Sequence, residues 1–449
     1  MALIQFFGLI IFLLIVVLVL GAPVAFSIGF TAVVGILTLM PHENLLQLAA
    51  IIYNQGTKLD YLIISMFLLM AELLTQGNIA HDIFTVLNKY VKKIKGGIGI
   101  AAILASTVFA ALSGSSVATA AAIGRISIKE MINLKYDRKF SIGLVAAGGT
   151  IGIMIPPSIP MVVYGIITET SIVKLFMAGI LPGLLISAML SGYVLIKGKL
   201  TPEIVGARVD KNDINIIEQH YNKEKSKYDY SKKGIIKDFK LMGLPVLLIV
   251  VILTSLYAGI ATPIEMAGIG VIGTMLITII NRRFNRQSFF LALKFTARNS
   301  AMNAFILFAG FSLSYVVSYL GLPHQLAELL TTYIHNRWII IIALYLVWFV
   351  FGMILDTGSM IILTIPFVFT TLLEYGFDPI WIGVVSTLCV QIAMITPPVG
   401  LVLFVLKGVT DASMREIILG CIPFIFILIF SLLILTIFPQ IATYIPSLM

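Results

Sequence analysis

The sequence carries little charge, since Asp, Glu, Lys and Arg together make up 11% of its 449 residues. Soluble proteins carry about a quarter of their residues as charged side chains. Apolar residues reach 59%, and a soluble chain of this length has no core large enough to bury so much apolar surface. The composition therefore excludes an ordinary soluble domain and indicates a chain that lies in lipid.

Cysteine and histidine are also scarce. The two cysteines, Cys389 and Cys421, lie in apolar segments, which excludes a disulfide framework and a cysteine zinc site. The five histidines form no pair at helical spacing. Residues 192–199 lack the spacing of a phosphate-binding loop, so we expect neither ATP drive nor an organic cofactor. No Ser/His pair, metal motif or paired carboxylates stand out, so we expect no enzyme.

Long apolar runs are what the sequence does contain. Segments of about 18 or more apolar residues recur, each long enough to cross a hydrocarbon layer of about 30 Å as a helix. The first, residues 2–20, lacks a preceding basic region and a cleavage site, so we expect a retained span. The predicted fold class is an all-α polytopic membrane protein in a lipid bilayer. The net charge of +9 fits interhelical loops and indicates no nucleic acid.

Proline- and glycine-containing motifs occur twice along the chain, in the same order and about 240 residues apart. Ala22-Pro23 matches Thr262-Pro263, and Pro156-Pro157 matches Pro397-Pro398. We therefore predict two structural repeats, residues 1–200 and 241–449. A polar linker at 201–240 joins them, and the sequence leaves its role open.

Each predicted repeat contains two interrupted segments. Small polar residues at the centre of an apolar stretch predict a re-entrant hairpin, at about 96–130 and again at about 338–372. A Pro-Pro pair inside a span predicts a broken helix, at about 140–168 and again at about 378–408. Five full membrane crossings remain in each repeat. Because an odd number of crossings ends on the opposite side of the membrane, the second repeat is inverted relative to the first.

The basic residues predict the orientation. All Lys and Arg residues except Lys58, Lys174 and Arg337 fall on one side of this arrangement. Because basic loops stay in the cytoplasm, we expect the stretch 197–240 to be cytoplasmic. Both termini are then periplasmic, in a bacterial inner membrane.

Matching Gly- and Pro-interrupted segments in inverted repeats indicate a transport site near the middle of the bilayer. Proline excludes the carbonyl four residues earlier from helical bonding, and a free carbonyl in a dry interior suits a dehydrated Na⁺. The carbonyls predicted to be free are those of Gly152, Ile153, Ala393 and Met394. Helix N-termini at the hairpin tips suit an anionic substrate. Close packing or a simple kink could also explain these residues, but their recurrence in both repeats favours function.

Three acidic residues call for separate interpretations. Asp356 lies at the second hairpin tip, and an ionisable group at membrane depth predicts a functional site, although it also suits an N-cap. Glu265 completes a capping box with Thr262, which favours a structural role. Glu72 lies in an apolar span and could pair with a neighbouring helix or a partner subunit, and its role stays open.

Five ordered motifs carry a family resemblance. They are Ser113 to Thr119, Gly149 to Ser158, Ala261 to Glu265, Leu355-Asp356 and Thr396 to Gly400. Together they resemble the large membrane subunit, DctM-like, of tripartite ATP-independent periplasmic (TRAP) transporters. The resemblance implies an elevator transporter of the ion-transporter superfamily, Na⁺ as coupling ion, a small four-helix membrane subunit and a periplasmic binding protein. It also implies an organic-anion substrate such as a C4-dicarboxylate, a sialic acid or another sugar acid.

The resemblance also implies which residues bind the ions and the substrate. The first predicted Na⁺ site comprises Ser113, Gly114, Ser115, Ser116, Gly152, Ile155 and Pro156. The second comprises Asp356, Thr357, Gly358, Thr396 and Pro397. The predicted substrate-binding residues are Ser116, Thr119, Pro157, Ser158, Ser359, Pro398 and Gly400.

The predicted function is Na⁺-coupled uptake of a small organic anion that a periplasmic binding protein delivers. A stand-alone dicarboxylate or citrate transporter without a binding protein is the alternative. A channel is less favoured, because channels line a continuous pore with rings of like groups. The number of Na⁺ ions, the oligomeric state and the identity of the substrate stay open.

Overall fold

The computed structural model describes residues 2–91, 94–206 and 231–449. Its regular elements in those ranges are helices, with one isolated bridge between Tyr136 and Val205. The helices of the first part are α1 (Ala2–Val19), α2 (Val24–Leu39), α3 (Leu45–Gly56), α4 (Tyr61–Gln76), α5 (Ile79–Val91), α6 (Gly97–Ser113), α7 (Ser116–Asn133), α8 (Arg138–Thr150), α9 (Ile159–Thr168) and α10 (Ile172–Leu200). Those of the second part are α11 (Lys232–Tyr257), α12 (Pro263–Ile280), α13 (Arg286–Tyr319), α14 (Leu322–Tyr333), α15 (Arg337–Ile354), α16 (Thr357–Glu374), α17 (Pro379–Ala393), α18 (Leu401–Val409), α19 (Met414–Ile437) and α20 (Gln440–Ser447).

The helices confirm the predicted all-α membrane fold. Within the described ranges, seven helices are long and apolar enough to cross a membrane, namely α10, α11, α12, α13, α15, α16 and α19. Shorter apolar helices include α2, α6, α9 and α17. The stretch His42–Gly56 meets α4 at an angle of 53°, so that this pair is a further broken span or a re-entrant segment.

In the segment predicted as the first hairpin, two helices meet at a short tip. Helix α6 ends at Ser113, and its C-cap Gly114 has a left-handed φ of +61° that glycine adopts without strain. Helix α7 begins directly after Ser115, whose hydroxyl accepts a hydrogen bond from the amide of Ala118 at 3.3 Å. The tip thus combines a C-terminal glycine with a serine N-cap.

The first Pro-Pro pair lies where a helix stops and restarts. Helix α8 begins after Asp137, whose carboxylate accepts from the amide of Phe140 at 2.7 Å. After a 3₁₀ turn at Ile151–Ile153, the chain passes through Pro156 and Pro157, and Ser158 caps α9. The break therefore replaces α-helix by a 3₁₀ turn and bends over residues 151–158, because two consecutive prolines cannot continue the α-helical hydrogen bonding.

The second part of the chain has the same order of elements. Helices α15 and α16 meet at Leu355 and Asp356, and Asp356 is the N-cap of α16. Helix α17 begins after the N-cap Asp378, and α18 begins after Gly400, on the other side of the second Pro-Pro pair. Among the helix pairs that join the two parts, α9 packs on α16 and α18 packs on α7, so each break contacts the hairpin of the other part. These crossed contacts place both tips in the centre of the molecule.

Helices α4 and α13 pack against each other and flank the two hairpins, since α4 also contacts α6 and α13 also contacts α16. We call them the wall helices. Arg283 joins the two parts at one end of this wall. Its guanidinium meets both carboxylate oxygens of buried Asp82 at 2.6 and 2.9 Å. Such a two-point ion pair fixes geometry more firmly than a single contact.

The predicted linker is shorter than the sequence indicated. Helix α11 begins at Lys232, inside the segment 201–240, because Ser231 supplies an N-cap and the apolar residues that follow extend the helix. Pro202–Ile204 forms a 3₁₀ turn, and Val205 then pairs with Tyr136. Residues 207–230 lie outside the described ranges.

Candidate functional site

Both hairpin tips open onto one cavity of about 410 Å³. The first tip contributes Gly114 to Ala118, and the second contributes Asp356 to Ser359. The wall helices complete the cavity with four polar side chains, those of Glu72, Thr75, Asn299 and Asn303. Pockets of this size that combine apolar walls with a few convergent polar groups are typical of small-molecule sites.

Hydroxyl groups connect the first tip to itself and to the broken helix. The Ser113 and Thr119 hydroxyls lie 2.9 Å apart, and that of Thr119 donates to the carbonyl of Ser115 at 2.8 Å. The Ser116 hydroxyl donates to the carbonyl of Thr150, at the end of α8, at 3.2 Å. Ser113, Ser116 and Thr119 are at most 1% exposed. The tip is therefore a buried polar cluster without a formal charge.

Two glycines allow the first tip and the first break to touch backbone to backbone. A methyl group added at Gly114 would lie 2.5 Å from the carbonyl oxygen of Pro157. One added at Gly152 would lie 2.7 Å from the carbonyl oxygen of Ser115 and 2.8 Å from the Thr119 hydroxyl. These separations leave no room for a side chain, so the packing itself requires glycine at both positions.

The second tip depends on a carboxylate instead. One oxygen of Asp356 accepts from the amides of Gly358 and Ser359 at 3.1 and 3.3 Å, and the other accepts from the Ser359 hydroxyl. The N-cap interpretation of Asp356 is thus confirmed, and the same side chain also lines the cavity. A methyl group at Gly358 would have only the Asp356 carboxylate nearby, at 3.4 Å.

The second break is joined to its hairpin by one backbone hydrogen bond, from the amide of Gly400 to the carbonyl of Met353 at 3.0 Å. Gly400 is buried and has a φ of +54°. The Pro-Pro pairs differ in exposure: Pro156 and Pro157 are buried, whereas Pro398 is exposed. The second break therefore lies nearer the solvent-accessible surface of the protein than the first.

The prediction of free carbonyls is wrong for three of the four residues. The carbonyl of Ile153 accepts from the Ser158 hydroxyl, that of Ala393 from the amide of Thr396 at 3.0 Å, and that of Met394 from the amide of Val402 at 3.1 Å. The chain after the prolines supplies the donors for Ile153 and Met394, and Thr396, directly before Pro397, supplies the donor for Ala393, because buried carbonyls are rarely left unpaired. Each carbonyl keeps a second lone pair that a cation could use.

The structure brings most of the predicted site residues into two groups. In the first predicted Na⁺ site, Gly114, Ser115 and Ser116 of the α6–α7 tip contact Pro157, Gly152 and Thr150 at the first break, where Ile155 and Pro156 are also buried. In the second, Asp356, Thr357 and Gly358 line the cavity, and the half-buried Thr396 and Pro397 belong to the second break. Among the predicted substrate residues, the cavity lining includes Ser116 and Ser359. Thr119, Pro157, Ser158, Pro398 and Gly400 are not in its lining, so their predicted substrate role is without direct support.

Sequence reasoning missed the wall side chains Thr75, Asn299 and Asn303. Asn299 and Asn303 are four residues apart on α13, so they lie on one helical face. That spacing of two amides inside a long apolar helix is the signal that could have revealed them. The structure places Glu72 in the lining of this cavity, a position that neither of the two sequence alternatives specified.

Sequence comparisons place the chain among transporter subunits. Residues 11–441 match the family described as "Tripartite ATP-independent periplasmic transporter, DctM component". The C4-dicarboxylate TRAP transporter large permease protein DctM of Pseudomonas aeruginosa is 33% identical over 422 residues, or 94% of each chain. The sialic acid TRAP transporter large permease protein SiaM of Vibrio cholerae is 28% identical over 95% of each chain. The ectoine TRAP transporter large permease protein TeaC of Halomonas elongata is 28% identical over 96% of each chain.

A solved structure shares the fold at much lower sequence identity. The MtrF efflux pump of Neisseria gonorrhoeae superposes with a TM-score of 0.57 and 13% identity. The match covers 90% of this chain and 84% of the other. At that identity the similarity shows a common transporter fold and carries no information about substrate.

Proposed function

The chain belongs to the DctM component family of tripartite ATP-independent periplasmic transporters, and from that premise we propose that it drives Na⁺-coupled uptake of a small organic anion. It is a multi-pass permease subunit and not an enzyme. The observation that supports the proposal best is the single cavity onto which both hairpin tips open. The N-termini of α7 and α16 begin at those tips, and helix N-termini favour negative charge.

Two Na⁺ sites of different chemistry would provide the coupling. The first would use the hydroxyl and carbonyl oxygens of the first tip, where Ser113, Ser116 and Gly152 meet. The second would use the carboxylate of Asp356 together with the nearby backbone. Oxygen ligands suit Na⁺, and a buried polar cluster without a charge becomes more stable when a cation completes it.

The proposed assembly contains a small four-helix membrane subunit and a periplasmic binding protein. Family membership favours this assembly over a stand-alone dicarboxylate or citrate transporter, since the relatives above are named as permease subunits of TRAP transporters. The two hairpins and two broken helices would move together along the wall helices as an elevator. The crossed packing of α9 on α16 and of α18 on α7 supports such a single mobile unit.

Uptake by the reconstituted transporter tests the coupling. Proteoliposomes that contain this chain, its small subunit and its binding protein should accumulate substrate only under an inward Na⁺ gradient. Equal uptake in sodium-free vesicles with an inward proton gradient would refute Na⁺ coupling. Vesicles that contain the membrane subunits without the binding protein separate a tripartite transporter from a stand-alone one.

Cysteine labelling tests the proposed inner-membrane orientation. The native Cys389 and Cys421 are fully buried, so added cysteines give the signal. Glu374 and Asn133 are exposed, at the ends of α16 and α7, and are proposed to be periplasmic and cytoplasmic, respectively. A membrane-impermeant maleimide should label Glu374→Cys in intact spheroplasts and leave Asn133→Cys unlabelled until lysis. The reverse pattern would overturn the orientation.

A further inference from the structure

The wall side of the cavity carries a carboxylate that the proposed Na⁺ sites do not use. Glu72 on α4 lines the cavity, and so do the amide side chains of Asn299 and Asn303 on α13. Glu72 is half-buried, and within the described ranges its carboxylate has neither a hydrogen bond nor an ion pair. By contrast, both carboxylate oxygens of Asp356 accept hydrogen bonds within the cap of α16. Both carboxylates line the cavity, and Glu72 is the one that the proposed Na⁺ sites leave to the substrate.

The charge of the lining is unusual for a site that binds organic anions. Glu72 and Asp356 are its two acidic side chains, and no Lys, Arg or His of the described chain is among the lining residues. A Na⁺ at the second tip would offset the charge of Asp356. Among the described lining residues, no side chain offsets Glu72, which lies in a partly desolvated cavity where charges interact more strongly than in water. A purely anionic ligand next to Glu72 would be repelled.

A ligand that carries both a carboxylate and a cation fits this lining. Its carboxylate would lie towards the N-termini of α7 and α16, and its cation would lie beside Glu72. Asn299 and Asn303 can each donate and accept hydrogen bonds, so they suit the polar middle of such a molecule. Resting on the proposed transport function, we propose that Glu72 makes this site selective for a zwitterion, a carboxylate that also bears a protonated nitrogen.

Ligand binding to the purified membrane complex tests the proposal independently of the binding protein's own selectivity. Thermal stability would be measured in NaCl and in choline chloride, with ectoine, glycine betaine and 5-aminovalerate as zwitterions. Succinate and N-acetylneuraminate would represent anions without a cationic nitrogen. We expect a Na⁺-dependent increase in melting temperature with at least one zwitterion and a smaller one, or none, with either anion. A larger effect of succinate or N-acetylneuraminate, or no effect of any zwitterion, would overturn the proposal.

Variants of Glu72 separate selectivity from folding and from coupling. Glu72→Gln should weaken zwitterion binding by about tenfold or more, the scale of one lost charge-assisted hydrogen bond. Glu72→Asp should keep much of the affinity, and Glu265→Gln, in an exposed capping box, should keep all of it. The half-saturating Na⁺ concentration of Glu72→Gln should stay unchanged. A raised Na⁺ requirement with unchanged zwitterion affinity would instead assign Glu72 to ion binding.

The two proposals can fail separately. If a zwitterion binds and needs Glu72 but enters vesicles equally well without Na⁺, the coupling proposal fails and the selectivity proposal stands. If succinate is the ligand and its uptake needs Na⁺, the coupling proposal stands and the selectivity proposal fails.

Discussion

The two hairpin tips occupy matching places in the chain and are stabilised in different ways. The first is held by backbone packing at Gly114 and Gly152 and by buried hydroxyl groups. The second is held by the carboxylate of Asp356 and by one backbone hydrogen bond to Gly400. A tip that is stabilised by packing tolerates no added volume, whereas one stabilised by a charge tolerates volume and depends on that charge. The same element would thus provide one neutral and one charged site for the two proposed ions.

The largest expected effect concerns the packing of the first tip. In Gly114→Ala the new methyl group would meet the carbonyl of Pro157 at 2.5 Å, and the left-handed backbone adds strain. We expect uptake to fall about 100-fold, which corresponds to about 2.8 kcal/mol. The measurement is initial uptake rate per reconstituted transporter.

Gly268→Ala is the matched control for this variant. Gly268 lies within α12, where an added methyl group has no heavy atom within 4 Å, so we expect normal uptake. Equal uptake by Gly114→Ala and Gly268→Ala would show that the first tip is not held by packing.

The next effect concerns the charge of the second tip. Asparagine is as good an N-cap as aspartate, so Asp356→Asn removes the charge and leaves the cap of α16 in place. We expect the half-saturating Na⁺ concentration to rise about tenfold, the scale of one charge-assisted contact. Membrane insertion should be unchanged. Normal Na⁺ dependence in Asp356→Asn would mean that this side chain acts as a cap alone.

How far the sequence could predict these features depends on the kind of interaction. Long apolar runs and paired prolines predicted the helices and both breaks, because lipid and proline act locally on the chain. The short helices α3 and α14 were not predicted, since polar residues such as Gln47 and Gln325 interrupt their apolar pattern. The partners of the carbonyls at Ile153 and Met394 were also missed, because they depend on how the chain turns after the prolines.

The site shows the same limit. Gly, Ser and Asp at the tips were recognisable because such residues are unusual in apolar segments. Asn299 and Asn303 were not, since two amides in a helix of 34 residues give no indication of which face meets a cavity. The wall of the site depends on how α4 packs against α13, and the sequence alone does not specify that packing. The position of Glu72 in the cavity lining depends on the same packing.

A smaller effect is expected from a single hydroxyl at the first tip. Ser116→Ala removes the hydrogen bond to the carbonyl of Thr150, which is worth about 0.5–1.5 kcal/mol. We expect the half-saturating Na⁺ concentration to rise about two- to tenfold, as that energy implies. Because the tips are proposed to bind separate ions, the double variant with Asp356→Asn should show additive free-energy changes. Strong non-additivity would indicate one shared ion site.

The smallest expected effect is a difference in hydrogen exchange between the two breaks of the unsubstituted protein. Pro156 and Pro157 are buried, while Pro398 is exposed and the backbone of the second break is tied to its hairpin by the amide of Gly400. Amides that follow the second pair should therefore exchange with deuterium faster than those that follow the first, by about severalfold, since exchange reports local opening. Replacing choline with Na⁺ should slow exchange more at the second break, where a bound ion would add contacts that packing does not already supply. Hydrogen exchange of the purified membrane complex, read from peptides that cover 158–164 and 399–405, measures both differences. Equal protection of the two peptides in both salts would remove the distinction between a packed tip and a charged one.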